Sequence, residues 1–313
     1  MKTGRGINSF SEQSLNRLLW VGALVLAIGI PVFGTIYYRD QHIDGGSSLI
    51  DRQVQIAEQA VRKNPADFGV RLQLAQAYES ANQLEGALKQ YKELLRVSPT
   101  NRAALLGRGN VLVVKGDLMA ATISFKKITG TAAVGEFAAN DPQLAQAYYS
   151  LGSIALKQGQ AREAVAKLEA AVKIDSSDAD AWYLLGIANL KAGAPEMAVG
   201  ALRRAIYFVP TGWCEPYVEL TKVYTKLQRL PEAEYAGAMA QFCQNRPAEA
   251  NRRLQALIAG PVAIDAMLGL GMIAEASSDR EGAIRWYKRV LSTDSKNFNA
   301  RTNLSRLGAE GTG

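Results

Sequence analysis

Few side chains in this sequence could do covalent or metal chemistry, and their positions narrow the choice further. One histidine, His42, and two cysteines, Cys214 and Cys243, are all that 313 residues provide. Most zinc sites, iron–sulfur clusters, His-based triads and dense disulfide scaffolds need more. His42 lies in the polar stretch QHIDGGSS, residues 41–48, a flexible linker by composition, and is read as solvated. No phosphate loop, GxGxxG before a helix, HExxH or CxxC occurs. Acid–base work would have to come from carboxylate pairs such as Asp175/Asp178 and Glu232/Glu234, on which nothing else converges. The expectation is a binding protein rather than an enzyme, with no cofactor, no metal and no small-molecule substrate.

Charge points the same way. Lys plus Arg number 36 against 29 Asp plus Glu, a net +7 spread over the whole length. A nucleic-acid binder would concentrate its basic residues on one face, so none is expected as partner.

Between Arg17 and Arg39 runs LLWVGALVLAIGIPVFGTIYY, Leu18–Tyr38, 21 residues without a charge. At about 1.5 Å per residue a helix of this length crosses the roughly 30 Å hydrocarbon layer. Trp20 stands near one end and Tyr37 and Tyr38 at the other, where amphipathic rings favour the interface. Lys2, Arg5 and Arg17 oppose one Glu12 on the N-terminal side, whereas Arg39 meets Asp40 and Asp44 beyond the span. That asymmetry puts residues 1–17 in the cytoplasm and everything after the span outside, on the periplasmic or cell-wall side. Val32 and Gly34 could serve as the −3 and −1 residues of a cleaved secretory signal, but the apolar run exceeds the usual signal core. An uncleaved single-pass anchor is therefore expected, with residues 39–48 as linker.

From Leu49 onward, helix-forming residues are punctuated every 15–18 positions by Gly, Pro or Asn. An amphipathic leading helix fills 49–67. Stepping by 34 residues then aligns six windows: 68–101, 102–135, 145–178, 179–212, 214–247 and 264–297. Their eighth residues are Ala75, Gly109, Gly152, Gly186, Thr221 and Gly271, and their twentieth is always Ala. Their twenty-fourth residues are Tyr91, Phe125, Leu168, Leu202, Gly237 and Tyr287, large in all but one. Small residues let the two helices of a hairpin approach, and the large one is expected to fill the gap to the neighbouring hairpin. Residues 298–313 supply a capping helix and tail.

One window carries Trp182, Leu185, Gly186, Ala198, Leu202, Ala205 and Pro210, and with the period it resembles the tetratricopeptide repeat (TPR) family. The resemblance covers residues 68–297. It implies an all-α, right-handed superhelical solenoid of about six helical hairpins, here preceded by one transmembrane helix. Two departures stand out. Nine extra residues enter a loop-like stretch, Thr129–Gln143, between the second and third windows. Between the fifth and sixth windows the phase slips by half a repeat, leaving an extra helix near 247–259. Residues 231–264 can also be framed as a repeat, with Ala250 and Leu254 at the small and large positions, and a local change of superhelix geometry is expected near 231–260.

Cys214 opens the first helix of the fifth window and Cys243 ends its second, so a hairpin brings both to one edge. In an oxidising compartment a disulfide would close it; otherwise the two are small, half-buried thiols.

TPR proteins bind peptides or helices along the concave face of each window's first helix. Carried over by position, that surface comprises Leu72, Gln73 and Gln76, then Leu106 and Asn110, then Tyr149, Ser153 and Lys157, and finally Tyr183, Ile187 and Lys191. Such a ladder suits an extended or helical protein segment with apolar anchors; the alternative is that the tyrosines merely cover helix interfaces. The carboxylate clamp of chaperone-binding members is absent, since Leu72, Gln76, Gly107 and Gln146 stand at the corresponding places. The layout is similar to bacterial TPR factors that assist cytochrome c maturation or join the translocon. The expectation is a membrane-anchored adaptor in assembly of an envelope complex. The alternative is a structural or chaperone subunit of a secretion or pilus-type machine, touching its partners through the membrane helix.

Overall fold

In a computed structural model of the chain, residues 29–35, 37, 49–132 and 138–309 are described, and the ordered elements among them are all helical. Of the span Leu18–Tyr38, residues 29–35 and 37 are helical, with Ile30, Val32, Phe33 and Tyr37 exposed. The rest of the span, the tail 1–17 and the linker 39–48 lie outside the described residues. Among those described, no helix is long and apolar enough to cross a membrane.

The chain divides into two compact units, Met1–Gln90 and Tyr91–Gly313. In the first, α1 (Leu49–Lys63) packs on α2 (Phe68–Ser80), and α3 (Leu84–Val97) begins before the boundary. The Tyr78 hydroxyl donates to Glu58 Oε1 at 2.8 Å, tying α2 to α1. Arg71 donates to Gln90 Oε1 at 2.9 Å, tying α2 to the middle of α3.

The second unit holds the remaining hairpins: α4 (Arg102–Val114) with α5 (Leu118–Ala132), α6 (Pro142–Lys157) with α7 (Ala161–Ile174), and α8 (Ala179–Lys191) with α9 (Pro195–Phe208). Next come α10 (Glu215–Lys226), α11 (Leu230–Cys243), α12 (Pro247–Leu257), α13 (Ala263–Ala276), α14 (Arg280–Thr293) and α15 (Phe298–Arg306). The stretch read as a loop after Thr129 is partly helical. The Thr129 and Thr131 hydroxyls donate back to the Lys126 and Lys127 carbonyls, and α5 continues to Ala132. A short 3-10 turn, Ala138–Asn140, precedes α6, whose start is fixed by Pro142 in its first turn and by Asp141, which accepts from the Gln143 and Leu144 amides. Arg102, at the start of α4, pairs with the same Asp141.

Close approach within each hairpin follows from the eighth residue. A β-carbon on Gly109 would stand 2.5 Å from the Phe125 ring, and one on Gly152 2.5 Å from Leu168 Cγ. On Gly186 it would stand 2.7 Å from Leu202 Cγ, so no larger residue fits without displacing a side chain that is fully buried. The large twenty-fourth residue thus lies on the small eighth residue of its own hairpin and also reaches the next repeat, as expected: a β-carbon on Gly107 would meet the Tyr91 ring, and one on Gly269 would stand 3.0 Å from Leu254 Cδ1.

The turn between the two helices of a hairpin has a signature. Its residue at window position fifteen takes a positive φ: Asn82, Gly116, Gly159, Gly193, Gln228 and Ser278. The next amide reaches back five residues, as in Gln160 N to Ala155 O (2.9 Å) and Ala194 N to Asn189 O (2.9 Å). Asn245, after α11, has φ 62° and the same closure, Arg246 N to Gln241 O at 2.9 Å. Helix α11 therefore closes one hairpin with α10 and opens another with α12. It is shared between two repeats, which is the physical content of the half-repeat slip. Because packed helices alternate between two layers, the first helices of later hairpins, α13 and α15, lie in the layer that holds second helices earlier on; α11 and α13 touch directly, as same-layer neighbours do.

Cys214 and Cys243 are bonded, with Cα atoms 5.4 Å apart. The bridge joins the residue before α10 to the last residue of α11.

Candidate partner-binding groove

The expected groove residues divide between the two units. In the first, Gln73 and Gln76 are exposed on α2 and Leu72 is half-buried. In the second, Leu106 and Asn110 on α4 are half-buried, as are Tyr149 and Ser153 on α6 and Tyr183 and Ile187 on α8. Lys157 and Lys191 are exposed at the ends of α6 and α8. Each lies eight residues beyond its tyrosine, about 12 Å along the helix axis.

Both readings of the tyrosines hold at once. Tyr149 and Ile187 rest on the apolar cluster built by α6, α7 and α8, and Tyr183 rests on the next cluster along. Half of each side chain is structural and half faces outward. Burial pushes the Tyr149 hydroxyl pKa up, and the carboxylates of Asp180 and Asp178 push it further. Tyr183 behaves alike, through burial and then Glu219 and Glu215. Both phenols consequently remain O–H donors at neutral pH. The Trp213 ring meets Tyr183 edge-on, with centroids 5.0 Å apart, and ends the aromatic run at the disulfide hairpin.

Asp180, Glu215 and Glu219 were not among the residues singled out from the sequence, although Asp180 and Glu215 occupy the second position of their windows and Glu219 the sixth, both groove positions. The groove is thus mixed in sign. Glu219 is engaged by Lys222 at 2.7 Å, while among the described residues Lys157 and Lys191 have no carboxylate partner. No cluster of three or more His, Cys, Asp or Glu able to hold a metal occurs among the described residues.

Hairpins of uniform packing, one cap chemistry repeated at each inner turn, and first helices presenting the same register positions define a helical-repeat scaffold for protein interactions. The chain belongs to the tetratricopeptide repeat family: residues 72–136, 130–179, 149–212 and 226–299 match it, more than half of the sequence. No curated protein matches the chain. Among solved structures, the MamA protein is similar at 24% identity and a TM-score of 0.50, covering 58% of this chain and 94% of MamA. YrrB, described as a TPR protein with an unusual peptide-binding site, is similar at 23% identity and a TM-score of 0.51, covering 64% of this chain and 99% of YrrB. The C-terminal part of a TPR repeat-containing protein from Cytophaga hutchinsonii is similar at 15% identity and a TM-score of 0.51, covering 82% and 94%. These likenesses are of fold.

Proposed function

We propose that the chain is a single-pass membrane-anchored scaffold whose repeats stand on the extracytoplasmic side and hold a protein partner during assembly of an envelope complex, without catalysis of its own. The observation that carries the binding role is the register of Tyr149 with Tyr183 and of Lys157 with Lys191: paired aromatic donors and unpaired cations spaced along adjacent first helices. An extended or helical segment with apolar anchors and a carboxylate every repeat fits that spacing. YrrB is a TPR protein with a peptide-binding site, which supports a peptide-like partner on this scaffold.

The anchor rests on the uncharged run Leu18–Tyr38 and the cation asymmetry around it. Exposed Ile30, Val32 and Phe33 on the helical stretch within it are what a lipid-facing segment requires. The Cys214–Cys243 bond supports the outward side, because cystines persist in oxidising compartments.

Two measurements test this reading. Reporter fusions after Gly46, one active only in the cytoplasm and one only outside it, read topology; activity of the cytoplasmic reporter overturns the orientation. Crosslinking in cells followed by purification in detergent reads partnership. Recovery of a stoichiometric partner that is lost from a Tyr149→Ala/Tyr183→Ala double variant is expected, and recovery of the chain alone counts against a scaffold.

A further inference from the structure

The half-repeat slip has a spatial consequence on the far layer of the second unit. A cleft of about 640 Å³ opens there between α9 on one side and α11, α13 and α15 on the other, floored by α10. Its lining from the later helices follows the groove register. Tyr235 holds the fifth position in the 231–264 frame, and Asp265, Leu268 and Met272 hold the second, fifth and ninth of the sixth window. Asn299 and Thr302 are the second and fifth residues of α15. Sharing α11 between two repeats has moved the groove face of the later hairpins into the layer opposite the one carrying Tyr149 and Tyr183. The opposing wall is a second-type helix, α9, which contributes Arg203, Arg204 and Tyr207 from positions that elsewhere face solvent.

The charges of this cleft do not cancel. Asp265 is its only carboxylate, and it is taken by Arg203 at 3.6 Å. Burial disfavours the Arg203 cation, yet Asp265 and the neighbouring Tyr224 hydroxyl hold its pKa above the ordinary value. Arg204 is exposed and has no ion pair or hydrogen bond among the described residues. It also lines the adjoining depression with Trp182 and Met197, so it borders both. Apolar surface flanks it: Phe298 is 65% exposed and Tyr207 47%. A free, forked cation in a cleft that also exposes two rings is complementary to a side-chain carboxylate flanked by aliphatic or aromatic residues.

We infer that the cleft between α9, α13 and α15 is a second docking site, separate from the Tyr149–Tyr183 groove, and that it takes an extended acidic peptide segment of a partner protein with its carboxylate on Arg204. The Asn299 and Thr302 side chains on α15 are placed to bond the backbone of such a segment. The two sites lie in opposite layers, so a single partner strand does not bridge them without leaving the surface.

Selection of a random dodecapeptide phage library on the purified full chain in detergent micelles tests this, independently of membrane topology. Enriched sequences are expected to carry Asp or Glu beside Leu, Ile or Phe. For a synthetic peptide of the most enriched sequence, Arg204→Glu is expected to weaken binding about tenfold or more, as charge reversal at a forked carboxylate contact does. Asp265→Asn, which frees Arg203, is expected to tighten it, and Tyr149→Ala, on a different apolar cluster, to leave it unchanged. Arg204 is exposed, so a melting curve matching the wild type separates lost binding from lost folding. The inference is overturned by no enrichment, by enriched peptides without carboxylates, by sequences that copy segments of this chain, or by binding that ignores Arg204→Glu.

Discussion

Arg253 occupies the space that a side chain at Gly237 would fill: a β-carbon there would stand 3.0 Å from its Nη2. Gly237 is the one window residue at position twenty-four that is not large, and the arginine, reaching from α12 to α11, is its substitute. Glu234 fixes it, accepting from Nε at 2.5 Å and Nη2 at 2.8 Å. Loss of the side chain by Arg253→Ala is expected to cost about 1–2 kcal/mol through lost packing and a broken charged bond. Gly237→Leu is expected to destabilise the wild type and to recover part of the loss in Arg253→Ala. Urea midpoints of the four proteins of this cycle measure the coupling, and simple additivity would refute the substitution of one side chain by the other.

The same pair gives an acid limb. The Arg253 hydrogen bonds hold the Glu234 carboxyl below the usual glutamate value, opposed by some burial. A carboxyl with a lowered folded pKa adds stability that is full above its unfolded value, 4.5, and vanishes as pH falls through the folded value. Glu234→Gln is therefore expected to lower the urea midpoint near neutral pH and to flatten its decline below pH 4.5, with the two proteins converging in acid.

Reduction of the cystine is expected to loosen α10 and α11. Closing a loop with a sequence separation of 29 restricts the unfolded chain by about 3–4 kcal/mol in the chain-entropy account. Thermal melts with and without dithiothreitol check this: the wild type should fall on reduction, and Cys214→Ser/Cys243→Ser should melt like the reduced wild type under both conditions.

Gly152→Ala is expected to cost about 1–3 kcal/mol, because the added carbon meets Leu168 Cγ 2.5 Å away and that leucine is fully buried. Gly200→Ala is the internal control, since nothing lies within 4 Å of its β-carbon position and helix propensity favours alanine. Circular dichroism against temperature separates the two.

The 34-residue period and the small eighth and large twenty-fourth residues made the hairpins readable from sequence, and the same frame placed Tyr149 and Tyr183 in register. The turn chemistry was readable where glycine marks it, at Gly116, Gly159 and Gly193. It was hidden at Asn82, Gln228, Asn245 and Ser278, which adopt the same positive φ with an ordinary side chain. That is why the extra helix and the overlapping frame 231–264 could be anticipated, while the turn that lets α11 serve both repeats could not: it sat in the backbone of Asn245. The acids beside the tyrosines belonged to the same register, but only packing of one first helix on the next brings Asp180 to Tyr149. The cleft at Arg204 was legible only in part: Tyr235, Asp265, Leu268 and Met272 hold groove positions, but its closure depends on where α15 returns relative to α9.

A solenoid pulled from its two ends behaves as a chain of weak links in series, each hairpin yielding without help from distant ones. The Cys214–Cys243 bond turns one of these links into a stop. Tension that unravels neighbouring hairpins cannot pay out the residues between the cysteines, so about 100 Å of contour, a sequence separation of 29 at roughly 3.5 Å per step, stays spooled. The array therefore stiffens at the repeat where the two layers exchange roles, and slack appears first elsewhere.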